Sequence, residues 1–112
     1  MPAGELERIF ARSEPHVAAL AGELIARLGD RTEPKGKSIH LCRRSAFAGL
    51  HPRHDALLLN LRTAEPIDSV RVRRVERVST HRFHNEILLS SADELDEELF
   101  VWLAKAAALA EG

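Results

Sequence analysis

The stretch Ala56–Arg62, "ALLLNLR", decides the fold. Read with a period of two, Leu57, Leu59 and Leu61 fall on one side of an extended chain, and Leu58, Asn60 and Arg62 on the other. A helix would scatter the same leucines around its axis. The segment therefore predicts a strand with one wholly apolar face, and such a face needs a layer packed on it.

The same period runs outward from this strand. In "KSIHLCR" (Lys37–Arg43) Ile39 and Leu41 point one way while Ser38, His40 and Cys42 point the other. "SAFAGLH" (Ser45–His51) reads as a short strand that turns at "PRHD", and "RFHNEILLS" (Arg82–Ser90) as a last strand with Phe83, Ile87 and Leu89 on one side. "RVRRVERV" (Arg71–Val78) fits neither period, although its β-branched residues favour a strand over a helix. "DRTEPKGK" (Asp30–Lys37) reads as a loop and "TAEPIDSV" (Thr63–Val70) as a connection.

Helices flank these strands. Leu6, Ile9 and Phe10 share one side of a short opening helix. Val17, Leu20, Ala21, Leu24, Ile25 and Leu28 recur at helical spacing, predicting a main helix over 14–28 with Ser13 as its cap, Pro15 in its first turn and Gly29 as a left-handed stop. At the other end Ser91 and Glu94 have the spacing of a capping box, and Asp93, Glu94, Asp96, Glu97 and Glu98 place negative charge at the positive end of a helix dipole. Leu95, Leu99, Trp102, Leu103 and Ala106 give that helix a buried face ending near residue 109. The order predicts a two-layer α+β domain: an antiparallel sheet of three to five strands, with an N-terminal helical segment and a C-terminal helix on one face.

A chain of 112 residues is one domain by size. With four Phe, one Trp and no Tyr, its core must be aliphatic. A net charge of −1 supplies no broad field for nucleic acid or an anionic membrane. Cys42 is the single cysteine, so no intrachain disulfide forms, and no apolar run approaches the ~18 residues of a membrane span. "MPAGELERIF" lacks a signal peptide's apolar core, which makes the cytoplasm the expected compartment.

Three stretches together, "FAGLHPRHDALLLNLR", "VERVSTHRFHNEILLSS" and "ADELDEELFVWLAKA", resemble the bacterial Domain of Unknown Function 5655 family. The shared features are a Phe-Ala strand, a Leu-rich strand, a Val-Ser…Arg-aromatic-His strand, and an acidic helix with a Trp-Leu pair. The resemblance covers about residues 37–110, with the helices of 4–29 expected to pack on that unit. It implies a small α+β domain that stands alone or is appended to other bacterial domains, in an accessory or binding role. Members often carry Ala-Tyr in the last helix where this chain has "AAALA", so any role of that Tyr is absent. A transport label borne by some members finds no segment here to line a membrane pathway.

The histidines need separate weighing. "HPRH" (His51, His54) and "THRFHN" (His81, His84) each space two imidazoles at i and i+3. On a helix such a pair converges on a metal; on a strand it diverges. With a lone cysteine and no second thiol ligand, the sequence predicts neither a metal centre nor a cofactor. Cys42 with His40 or His84 has the elements of a nucleophile pair, yet a lone strand cysteine is ordinarily a small buried hydrophobe.

The stronger signal is the second sheet face. His40, Cys42, Leu58, Asn60, Arg62, His84, Glu86 and Leu88 share it, and Leu58, Cys42 and Leu88 sit badly among solvated charges. Either another strand segment or the 63–78 connection covers this face, or it is a ligand surface or a subunit interface. The candidate ligand-binding residues are His40, Asn60, Arg62, His84, Asn85 and Glu86, with no catalytic or metal-ligating residue assigned. The function expected is a non-catalytic binding or protein-interaction module, taking a small polar ligand or a protein partner, or forming a homodimer through this face. The alternatives are acid–base catalysis by His84 and Glu86, or a local phosphate contact through the cationic run Arg71–Arg82.

Overall fold

Leu57, Leu59 and Leu61 are all fully buried, and the strand that carries them lies inside a six-stranded antiparallel sheet. The computed structural model describes residues 4–112. Elements run in the order α1 (Glu5–Ile9), α2 (Pro15–Leu28), β1 (Arg31–Lys35), β2 (Ser38–Cys42), β3 (Ala46–Pro52), β4 (Leu57–Thr63), β5 (Val72–Ser79), β6 (Arg82–Leu89) and α3 (Glu97–Glu111), with a 3₁₀ turn at Ala92–Glu94 before α3. The strand order β1-β2-β3-β4-β6-β5 makes the sheet a meander with one exchange at its end.

The expected three to five strands become six. The extra strand is β1, inside the polar stretch expected to be a loop. Pro34 is tolerated there because β1 is an edge strand, needing hydrogen bonds on one side only. Gly36 opens the two-residue turn between β1 and β2 with φ 61°, a left-handed value that favours glycine. The ambiguous run 71–78 is strand β5, zipped to β6 from Val72↔Ile87 to Ser79↔Arg82.

Register places Ile39, Ala48, Leu50, Leu57, Leu59, Leu61, Ile87 and Leu89 on one face. Against it pack Val17, Leu20, Ala21 and Leu24 of α2 and Leu99, Leu103, Ala106 and Ala107 of α3, in one aliphatic core. Each fully buried Leu or Ile there contributes about 1.5–3 kcal/mol relative to exposure. A bulge between Leu41 and Cys42 breaks the alternation of β3, so that Phe47 and Ala48, consecutive in sequence, are both buried.

Two helix starts differ from expectation. Ser13 does not cap α2: its hydroxyl donates to the carbonyl of Arg53 at 2.6 Å, and the Glu14 N–H donates to His54 O at 2.7 Å. With His16 Nε2 2.8 Å from Asp55 O, these contacts tie the β3–β4 turn to the beginning of α2. The turn's carbonyls thus hold the Ser13 hydroxyl and the N–H of Glu14, the N-cap residue of α2. At the C-terminal end, Glu94 Oε1 accepts from the N–H groups of Ser90 and Ser91, but this closes only the 3₁₀ turn. Asp96 caps α3 itself, accepting from Leu99 N–H at 3.0 Å. Gly29 stops α2 as predicted, at φ 68° with its N–H on Ile25 O.

Candidate functional site

The helices bury their apolar sides in the cluster on one sheet face. Leu58, Asn60, Arg62, His84 and Glu86 stand outside that cluster, on the other. The 64–71 connection does not cover them either. Ile67 packs on the helical side, and Arg71 reaches the start of α3, donating to Asp96 at 2.9 Å, Glu98 at 3.1 Å and the carbonyl of Glu94 at 2.8 Å. The face is open among the described residues.

Register orders its side chains into rows. Glu33, His40, Gly49, Asn60, Glu86 and Arg74 form one transverse line, one residue from each strand in spatial order. Beside it lies Arg62–His84–Glu76, and on the other flank His51–Leu58–Leu88. Five of the six candidate residues, His40, Asn60, Arg62, His84 and Glu86, thus share one surface. Asn85 does not. It pairs with Leu61 on the helix-covered face and is fully buried. Its amide donates to Leu61 O at 3.1 Å and Thr63 Oγ1 at 2.8 Å, and its Oδ1 accepts from Ile67 N–H at 2.9 Å. An alternation of two sends neighbours to opposite faces, so His84 and Glu86 exclude Asn85.

Gly49 leaves a dip at the centre of the long row. His51 leans into it: a Cβ on Gly49 would stand 2.8 Å from His51 Nε2 and 3.7 Å from His40 Cδ2. β3 runs on to Pro52, the last residue paired with β4, and so puts this imidazole in phase with Gly49. Carrying the alternation of "AFAGLHP" two residues further would have found it. His54 and His81 lie in exposed turns, away from the face.

The electrostatics of the face centre on Arg62. Its guanidinium is half-buried, donates only to the carbonyl of Ala46 at 3.3 Å, and has no carboxylate within 4 Å among the described residues. The His40 pKa is lowered by burial, then by the charges of Arg62, His51 and Lys35, against an opposing pull from Glu33. His51 is lowered by burial and Arg53, with Glu86 opposing. His84 is lowered by burial and Arg62, with Glu76 opposing. Near neutral pH the face therefore presents three uncharged imidazoles, each a donor at one nitrogen and an acceptor at the other.

One atom of the face has no partner. The Oδ1 of Asn60 is buried and makes no hydrogen bond. Buried polar atoms are nearly always paired, so such an atom marks a place where an incoming donor would be stabilised. Glu86 is half engaged, its Oε2 lying 3.6 Å from Arg74. Cys42 is buried, and its thiol is pushed up by burial and then by Glu33, which disfavours the thiolate. Among the described residues no three His, Cys, Asp or Glu side chains converge to hold a metal ion.

The cationic run divides in the same way. Arg71 is occupied by the start of α3, Arg74 lies beside Glu76 and Glu86, and Arg77 sits over the Phe83 ring at 6.0 Å. Arg74 pairs across the strands with Glu86 of the open face and Arg77 with Phe83 of the other, so the arginines do not form one basic surface. Among the described residues no helix is long and apolar enough to cross a membrane. The chain matches no family model, no curated protein and no solved structure.

Proposed function

We propose that this domain is a non-catalytic binding module, and that the open sheet face is its recognition surface for a polar, negatively charged group. The observation that carries this reading is the pairing of an orphaned Asn60 carbonyl with an unneutralised, half-buried Arg62 two residues away on the same strand face. A guanidinium without a counter-ion favours an anion, and a buried acceptor without a donor favours a ligand N–H or O–H beside it. The neutral imidazoles of His40, His51 and His84 add hydrogen bonds without adding charge. The resemblance to the Domain of Unknown Function 5655 family supports the same accessory role.

A thermal-shift screen against nucleotides and small organic acids tests it. A binding ligand raises the midpoint in a concentration-dependent way. Asn60→Val and Arg62→Leu should abolish that rise while leaving the unliganded midpoint within a few degrees of the parent. A rise that survives both substitutions would move recognition to another surface.

A second reading, self-association through the same face, is favoured by one pair. Leu58 and Leu88 are cross-strand neighbours there, outside the cluster that the helices cover. Light scattering over a range of concentrations separates the two, since a dimer through this pair dissociates on Leu88→Glu. Acid–base catalysis by His84 and Glu86 is less well supported, because Glu86 already faces Arg74, with its Oε2 3.6 Å from that guanidinium.

A further inference from the structure

At one corner of the sheet, β3 begins, β4 ends and the β5–β6 hairpin turns back beneath the last turns of α3. A cavity of about 280 Å³ opens there. Its polar side is Arg62, Arg82 and His84, and its apolar side is Phe47, Val78 and Leu109. Charge and greasy surface are thus segregated across one small space.

Neither guanidinium is satisfied. Among the described residues Arg62 donates only to Ala46 O, and Arg82 only to the neighbouring carbonyl of His81 at 3.0 Å. Glu111, the carboxylate at this end of α3, is held by Arg43 at 2.8 Å. The folded chain therefore brings two cations to one cavity, and among the described residues no carboxylate lines it: Glu76, which faces His84 across the β5–β6 pair, stays outside the lining.

We propose that this corner binds a small monocarboxylate carrying a branched or aromatic apolar body. The carboxylate lies between the two guanidiniums, with His84 as a further donor, and the body rests on the exposed Val78 and the half-buried Leu109, with the buried Phe47 behind them. A planar guanidinium matches a carboxylate with two parallel hydrogen bonds, and the apolar wall gives an attached hydrocarbon a gain that a bare anion lacks. The volume lies just under the ~300–1,000 Å³ typical of pockets for drug-sized ligands, which limits the occupant to a small acid. This inference rests on the binding reading above, with which it shares Arg62 and His84; Arg82, Val78 and Leu109 belong to the corner alone.

The test is a titration of the full chain with 3-methylbutanoate, benzoate, 3-methylbutanamide and inorganic phosphate at matched ionic strength, followed by amide chemical shifts. The expected result is saturable binding of the two carboxylates, with shifts clustered at Phe47, Val78, Arg82 and Leu109. Arg82→Ala, an exposed position whose loss does not threaten folding, should weaken it by about tenfold or more. The amide and phosphate should bind far more weakly. Equal responses to phosphate or to the amide overturn the proposal, since charge alone or apolar contact alone would then suffice. Carboxylate shifts that map to His51, Asn60 and Glu86 and ignore Arg82→Ala overturn it while leaving the open-face reading intact. No response to any of the four overturns it as well, and a flat screen of Asn60-dependent ligands would be needed to remove the wider reading.

Discussion

His51 Nε2 occupies the space that a side chain on Gly49 would need, 2.8 Å from the position of its missing Cβ. The two residues are two apart on β3 and share the open face, so the glycine determines where the imidazole rests. That relationship leads to the first prediction.

Gly49→Ala should displace His51 without unfolding the domain. The obstructing atom is the tip of a side chain, which moves cheaply, and alanine within a strand is favoured over glycine by roughly 0.5–1 kcal/mol. The expected outcome is an unchanged or slightly raised midpoint, with the His51 imidazole titrating closer to its ordinary value of 6.5. NMR titration of the ring protons checks this. A strongly destabilised variant would mean that the ring has nowhere else to go.

Stability should fall as pH drops below about 6.5, the ordinary histidine value. His40, His51 and His84 all have lowered pKa values in the fold, with burial the leading cause. Between the folded and unfolded values the unfolded chain binds more protons, so acid favours unfolding there. Their contribution is whole above pH 6.5 and declines as pH falls toward the folded values. Urea unfolding at pH 7.5, 6.5 and 5.5 should show the decline, and replacing all three by Gln should flatten it. A separate loss belongs to Asp96, whose carboxyl is held below 3.8 by Arg71 and then by the Leu99 N–H. That stability persists above pH 3.8 and is lost as pH falls through the folded value.

Asn85→Ala should cost about 3 kcal/mol, because it removes three hydrogen bonds and strands buried backbone groups that they satisfy. The 64–71 connection should loosen first, since Ile67 N–H loses its acceptor. Hydrogen exchange at Ile67, compared before and after substitution, is the measurement. Retained protection would show that another group holds the segment.

Leu58 and Leu59 are adjacent on β4 and nearly equally buried, at 6% and 0% exposure, but only Leu59 has helices packed over it. Leu59→Ala should cost about 2–5 kcal/mol, the usual range for a core cavity. Leu58→Ala should cost about 1–2 kcal/mol, because the exposed side of the sheet can relax around it. Equal losses in chemical denaturation would mean that a second layer, such as another copy of the chain, covers Leu58 in solution.

Much of this architecture was legible in the order of the residues. The leucine alternation of 57–61 and the stripes of α2 and α3 are local patterns, and burial follows them because one face of each element is apolar. Gly29 stops α2 because a left-handed residue is needed there. The common surface of His40, Asn60, Arg62, His84 and Glu86 also follows from a period of two, given that the strands pair in the register they adopt. Other features depended on partners distant in the chain. β1 is a strand because β2 offers it a ladder, and its own polar residues carry no signal of that. Ser13 gave up its capping role because Arg53, brought near by the β3–β4 turn, offers a carbonyl. Asn85 became a buried anchor, and Arg71 an anchor for α3, only once the connection 64–71 folded back on the helical side. Whether two cations meet an empty corner is likewise set by which carboxylates the packing leaves nearby. Periodicity is a property of neighbours a few residues apart and can be read along the chain, whereas the pairing of polar groups is decided by the competition among all groups that the fold brings within hydrogen-bonding reach.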